Sequence, residues 1–203
     1  MRIGARMTVV RLPSGKLWLH SPVPIDDELG ARIDALGRVA HLVCPNVFHH
    51  VYAKAAQARW PSATTHAPAA LRTKRKDLRI DADLVDGKIG AWEGVLDGHT
   101  IRGSIICETV FLHEPSRSLI TSDVTENFTH CDHLFTRLFL VLGGVYKEVG
   151  WSKLLRWAYK DHAAARASID ELLTRDFDRV VLAHGDVIER GGRDAIRHTF
   201  TFL

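Results

Sequence analysis

Residues 39–50 read Val39-Ala40-His41-Leu42-Val43-Cys44-Pro45-Asn46-Val47-Phe48-His49-His50. The first six form a short, nearly continuous apolar run, the pattern of a strand covered on both faces. Pro45-Asn46 ends the run with turn chemistry, and the loop beyond presents two adjacent imidazoles. A strand buried on both faces belongs in a layered α/β protein, where functional side chains gather beyond the strand ends. The arrangement recurs twice: Leu119-Ile120-Thr121-Ser122 runs into Asp123, and Val181-Leu182-Ala183 runs into His184. His49, His50, Asp123 and His184 therefore offer nitrogen and carboxylate donors suited to a divalent metal, brought together only if the chain folds.

Upstream, residues 7–12 and 16–20 are β-rich runs around Pro13-Ser14-Gly15, which predicts an opening hairpin. Asp26 and Asp27 precede Leu29, Ile33 and Leu36 at helical spacing, and Gly37 stands where that helix should stop. Downstream, residues 51–59 predict a helix and residues 63–65 a short strand. Residues 72–90 are polar and read as a solvated loop, although Arg72, Lys74, Arg75, Lys76 and Arg79 make a basic run able to touch phosphates. From Trp92 to Thr121 the pattern is all strand, in short runs at 94–96, 103–106, 109–113 and 118–121. A mostly helical insert at about 128–175, broken at Gly143-Gly144 and Gly150, precedes a last strand at 179–183.

A chain of 203 residues, 46% hydrophobic and 25% charged, suits one domain spanning 1–203. Its net charge of +3 exerts no strong pull on nucleic acid or an anionic membrane, so neither is expected as a partner, and a small molecule is. Cys44, Cys107 and Cys131 are odd in number and widely spaced, which excludes a disulfide framework and fits a reducing cytoplasm. The N-terminus lacks the apolar core of a secretory signal, and the longest apolar stretch, Leu138 to Val145, is too short to cross a bilayer.

Other residues carry weaker signals. His130 and His133 are spaced to share a helix face, but polar residues at a helix start explain them better. His113 would satisfy hairpin backbone or support Asp123, and Asn46 reads as simple turn chemistry. In the insert, Phe139, Tyr146, Trp151, Trp157 and Tyr159 interleave with Arg137, Lys147, Lys153, Arg156 and Lys160. That predicts aromatics facing the core and cations facing water.

The order of elements and the motif positions resemble the metallo-β-lactamase superfamily over nearly the whole chain, and within it a branch known only as a domain of unknown function. The superfamily's first motif, HxHxDH, falls on Pro45 to His50. Pro45 and Val47 replace its first two histidines, His49 replaces its aspartate and His50 matches its last histidine. Asp123 matches the later aspartate and His184 the closing histidine. The middle histidine has no counterpart, His99 lying too early and Glu108 being a possible substitute. The resemblance implies an α/β four-layer αββα sandwich with the first metal site lost. The second would hold one divalent transition ion on His49, His50, Asp123 and His184: zinc first, with iron, nickel or manganese as alternatives. Asp123 is also the candidate catalytic residue. The activity implied is metal-dependent hydrolysis of a small ester, lactone, thioester or phosphoester, the alternative being a non-catalytic small-molecule-binding protein on the same degenerate fold.

Overall fold

The computed structural model describes residues 3–92 and 94–203. The opening hairpin pairs β1 (Thr8–Arg11) with β2 (Leu17–His20). α1 (Asp27–Leu36) follows, its first turn closed by Asp26, whose carboxylate accepts from the Leu29 N–H at 2.8 Å. Then come β3 (Val39–Val43), α2 (Ala53–Arg59), β4 (Thr64–Ala67), α3 (Ala69–Lys74), β5 (Ala82–Asp83) and β6 (Gly87–Lys88). The second half runs β7 (Leu96–Thr100), β8 (Thr109–His113), β9 (Ser118–Ile120), β10 (Glu126–Asn127), α4 (Leu134–Gly143) and β11 (Val149–Gly150). It closes with α5 (His162–Leu173), β12 (Arg179–Val181) and α6 (Gly192–Thr199).

The strands build two five-stranded sheets, β1-β2-β3-β4-β5 and β12-β9-β8-β7-β6, and a small β10-β11 ladder. In the first sheet β2 to β5 run parallel, and in the second only β12 and β9 do. Three apolar clusters define the layers. Val10, Trp18 and Val43 of the first sheet meet Leu96, Phe111 and Ile120 of the second, so the sheets pack face to face. Ile33 of α1 and Ala56 of α2 cover Leu19 and Leu42 on the outer face of the first sheet. Ile169 of α5 and Ile196 of α6 cover Val110 and Leu119 on the outer face of the second. The order is helix, sheet, sheet, helix, as the resemblance implied.

Several local expectations change. The basic part of the predicted loop begins as α3, because Leu71 is fully buried and anchors a turn of helix. Residues 103–106 are a turn held by a single bridge, Ser104 to Tyr159, in place of a strand. Gly103 sits there at φ 71° against the Asp161 carbonyl, where a Cβ would be 2.1 Å from oxygen. In the insert Trp151 and Tyr159 are buried as expected, but Phe135, Leu138, Leu142 and Trp157 face outward.

The inter-sheet layer also takes in three imidazoles. Parallel register puts His20 and His66 on either side of Val43, with His41 beside Trp18. His66 Nε2 lies 3.2 Å from His41 Nδ1, and its ring packs on Trp92 with centroids 4.5 Å apart. Burial, then the charge His41 would carry, pushes the His66 pKa down from 6.5 to about 4. A histidine held neutral in the fold takes up a proton near pH 6.5 once unfolded, so its contribution is full above that pH and is lost as pH falls toward 4. The loss is at most about 1.4 kcal/mol per pH unit. Urea denaturation of His66→Gln should show a shallower fall in stability from pH 6.5 to 5 than the parent; equal slopes would refute the assignment.

Candidate metal centre

All the chemistry-bearing loops leave the same end of the two sheets. His49 lies beyond β3, Asp123 beyond β9 and His184 beyond β12. His49 Nε2 comes within 3.2 Å of Asp123 Oδ1 and 3.1 Å of His184 Nε2, and His184 Nε2 is 3.4 Å from the same carboxylate oxygen. Among the described residues this is the one group of three or more histidine, cysteine or acidic side chains with converging ligand atoms.

Each donor is oriented from behind. The His184 Nδ1–H donates to the Gly4 carbonyl at 2.7 Å, which turns Nε2 toward the cluster, as a donor to Asp123 when the ring is protonated and as a free lone pair when it is not. The Ser21 hydroxyl hydrogen-bonds His49 Nδ1. Ser21 itself follows β2 at φ 58°, a left-handed conformation that costs a non-glycine residue energy and is tolerated where a site requires it. Arg6 holds the His184 loop by donating to the carbonyls of Leu182 at 2.6 Å and Gly185 at 2.9 Å. Gly185, at φ 88°, passes so close to the Asn127 carbonyl that a Cβ would lie 2.1 Å from its oxygen.

Behind Asp123 stands Asn46, fully buried. Its amide NH2 donates to Asp123 Oδ2 at 2.7 Å, Ser122 Oγ at 2.9 Å and Glu108 Oε2 at 3.0 Å. Its carbonyl oxygen accepts from the N–H groups of Phe48 and His49, both at 2.8 Å. Glu108, at the start of β8 beside the end of β9, accepts from the N–H groups of Ser122 at 2.6 Å and Asp123 at 2.8 Å. Burial and the neighbouring Asp123 raise the Glu108 pKa. Burial opposes ionisation of Asp123 too, but hydrogen bonds from His184 and His49 outweigh it and hold the carboxyl well below the usual range. For His184, burial disfavours the charged ring, and the hydrogen bond and charge of Asp123 more than compensate, raising its pKa. Two imidazole Nε2 atoms and a carboxylate oxygen turned toward one point can share a proton or hold a metal ion, and the donor set fits the latter.

Three of the four expected ligands thus converge. His50 does not join them: its Nδ1 accepts from the Arg75 guanidinium at 2.7 Å, and burial, Arg75 and Lys74 together lower its pKa. Adjacent side chains diverge, and the loop that aims His49 inward sends His50 toward α3. Glu108 does not replace the missing histidine, since both its oxygens hold the Asp123 loop. His99 is buried and donates from Nε2 to the Ser168 carbonyl at 2.7 Å. His113 is satisfied by Ser116, and His133 caps α4 by accepting from the Thr136 N–H at 3.2 Å. His130 pairs with Asp132 at the surface. Most of the basic run is occupied at home: Arg72 pairs with Asp83, Arg75 with Asp77 and Arg79 with Asp81, while Lys74 donates to the Val47 carbonyl. Asn46 is the residue that sequence reading undervalued. Its position after Pro45 signals a turn, but nothing local signals partners 62 and 77 residues away.

The cluster opens into a cavity of about 490 Å³ walled by Ile3, Pro22, Phe48, Val51, Phe139 and Leu155. Glu126 is the one further carboxyl in the wall, and burial pushes its pKa up to about 7. Among the described residues no lysine or arginine lines the cavity.

Comparison with solved structures places this architecture. A metallo-β-lactamase from Pontibacter korlensis superimposes with a TM-score of 0.65 at 13% identity, covering 98% of this chain and 86% of that one. The fold is that of the metallo-β-lactamases. The enzyme of that name from Hirschia baltica gives a TM-score of 0.63 at 11% identity, over 97% of this chain and 84% of its own. A metal-soaked flavodiiron core from Synechocystis gives 0.64 at 14% identity, over 96% of this chain and 51% of that one. The family described as a domain of unknown function (DUF4336) matches residues 1–70, which include His49. No curated protein matches the sequence. On this metallo-β-lactamase fold the cluster occupies the sheet ends, where α/β proteins place their sites.

Removing the Asn46 side chain strips partners from the Phe48 and His49 amides and from two buried carboxylates. Asn46→Ala should cost about 3 kcal/mol in chemical denaturation. It should also weaken divalent-ion binding by roughly tenfold or more in calorimetric titration. A loss within about 0.5 kcal/mol, the range of an ordinary surface substitution, would show that the network does not hold the site.

Proposed function

We propose that this protein is a metal-dependent hydrolase that holds a single divalent ion, zinc first, on His49, Asp123 and His184, and acts on an uncharged ester, thioester or lactone. The observation that carries the reading is the convergence of three donor atoms, each with its remote side already engaged. A bound ion would supply Lewis acidity, polarising an oxygen and lowering the pKa of water. The chain's own groups do the rest. Asn46 and Glu108 keep the Asp123 carboxylate in place, and the Gly4 carbonyl and Ser21 hydroxyl keep both imidazoles aimed. The apolar wall excludes water and accepts an acyl or alkyl group. Glu126, with its carboxyl near neutrality, is placed to hold or release a proton at the leaving oxygen. Among the described residues the wall offers no lysine or arginine to share a phosphoester's charge with the ion, and Glu126 would repel it when ionised, which favours the uncharged substrates.

The fold's two-metal route is disfavoured because Pro45 and Val47 carry no metal-binding side chain. Their backbone groups, the Pro45 carbonyl accepting from the Thr109 N–H at 2.9 Å and the Val47 N–H donating to the Ile106 carbonyl at 3.1 Å, tie this loop to the segment leading into β8. The same loss supports the second reading, a small-molecule-binding protein without turnover, which saturable ligand binding with no product would favour.

Elemental analysis of purified, tag-free protein tests the site directly. About one transition-metal ion per chain is expected in the parent and in His50→Ala, and near none in His49→Ala or His184→Ala. No metal in the parent, even after reconstitution, or loss of metal in His50→Ala alone, would overturn the assignment. With the site loaded, hydrolysis of neutral aryl esters and lactones should exceed that of phosphoesters of the same alcohol.

A further inference from the structure

Among the described residues, every large apolar side chain left exposed, apart from Leu36, Val85 and Ile105, falls in one of two segments, 48–52 and 134–157. α4 is inverted relative to an ordinary surface helix: it buries Thr136, Leu140 and Gly143 and turns Leu134, Phe135, Leu138, Val141 and Leu142 to solvent, Phe135 being 76% exposed. The two segments meet at the cavity, since Phe48 and Val51 line it from one and Phe139 and Leu155 from the other. The exposed apolar surface is therefore the surround of the site's entrance.

Charge along the segment that carries α4 leans positive. Residues 132–161 contain Arg137, Lys147, Lys153, Arg156 and Lys160 against Asp132, Glu148 and Asp161, with Arg156 packed over Phe202 and Arg137, Lys147, Lys153 and Lys160 exposed. Among the described residues none of the five pairs with a carboxylate, whereas Arg72, Arg79, Arg102 and Arg117 elsewhere are each bonded to an aspartate. The Lys153 stem lies against Gly144 at the end of α4, and Lys160 sits over the exposed Trp157 ring, 5.1 Å from its centroid. An apolar helix face bordered by unpaired cations and an exposed indole has the composition of an interfacial helix. A second copy packed about a two-fold axis would bring the two cationic borders together, which disfavours self-association on this face.

We propose that this face docks on an anionic lipid bilayer, with α4 lying in the headgroup region and its apolar residues reaching the acyl boundary. The modest net charge of the whole chain gave no such expectation, because acids and bases elsewhere cancel and hide a local excess. None of the described helices is long and apolar enough to cross a membrane, and docking of this kind requires none. A bilayer seated here would face the cavity mouth and let an apolar acyl compound reach the cluster without crossing water; that corollary rests on the hydrolase reading, and the docking does not.

Flotation of the full chain with phosphatidylcholine vesicles, with and without phosphatidylglycerol, tests the proposal. Binding is expected to the mixed vesicles only, and high salt, the Lys147→Glu/Lys153→Glu pair and the Phe135→Ser/Leu142→Ser pair should each weaken it roughly tenfold or more. Both variants should unfold cooperatively in urea with a midpoint close to the parent's, which shows that they fold whether or not metal is bound. Absence of flotation with mixed vesicles would overturn the proposal, as would equal binding by the variants, or a dimer in light scattering that Phe135→Ser/Leu142→Ser dissolves. Failure to find metal would leave the flotation result standing, and failure to float would leave the metal centre standing.

Discussion

One buried primary amide ties the two sheets together where the site is built. Asn46 leaves the end of β3 in the first sheet, and its partners Glu108, Ser122 and Asp123 sit at adjoining ends of β8 and β9 in the second. In a dry environment each of those groups would be costly to leave unpaired, so the amide constrains them as a unit. Its carbonyl oxygen at the same time shapes the loop that aims His49. The direction of His49 and the fixed carboxylate of Asp123 both follow from this side chain being where it is.

Much of the layer order was legible because strands buried on both faces leave an unbroken apolar trace, as at Val39–Val43, and because punctuation such as Pro45-Asn46 and Gly37 is chemically explicit. What escaped notice depends on contacts remote in sequence. α3 looks like loop because one buried residue, Leu71, anchors it, and 103–106 looks like strand because its apolar residues pack without a ladder. At the site, the convergence of His49, Asp123 and His184 followed from position at strand ends, while the departure of His50 depended on Arg75, which pattern alone does not place beside it. The outward face of α4 escaped for the same reason: its sequence is apolar almost all round, which describes a helix wanting cover without saying what covers it.

The likeness to metallo-β-lactamases at 11–14% identity is one of architecture. Pro45 and Val47 occupy positions where the superfamily motif has histidines, and their backbone groups tie this loop to the segment leading into β8. Such ties are compatible with keeping the layers in register while a set of ligands is lost, because they draw on peptide groups that any residue at position 47 supplies. The donors that converge, His49, Asp123 and His184, are enough for the single ion proposed above.

The bond from His184 to the Gly4 carbonyl joins residues 180 positions apart. The ligand set is therefore a record of the whole chain having been threaded: His49 is available early, but its partners arrive only after the second sheet has closed and the leading segment has settled along β12. During synthesis the nascent chain would carry scattered, weakly binding side chains and no centre, and competence to capture an ion would appear in one late step. Ion uptake would then serve as a clock for completion of the fold.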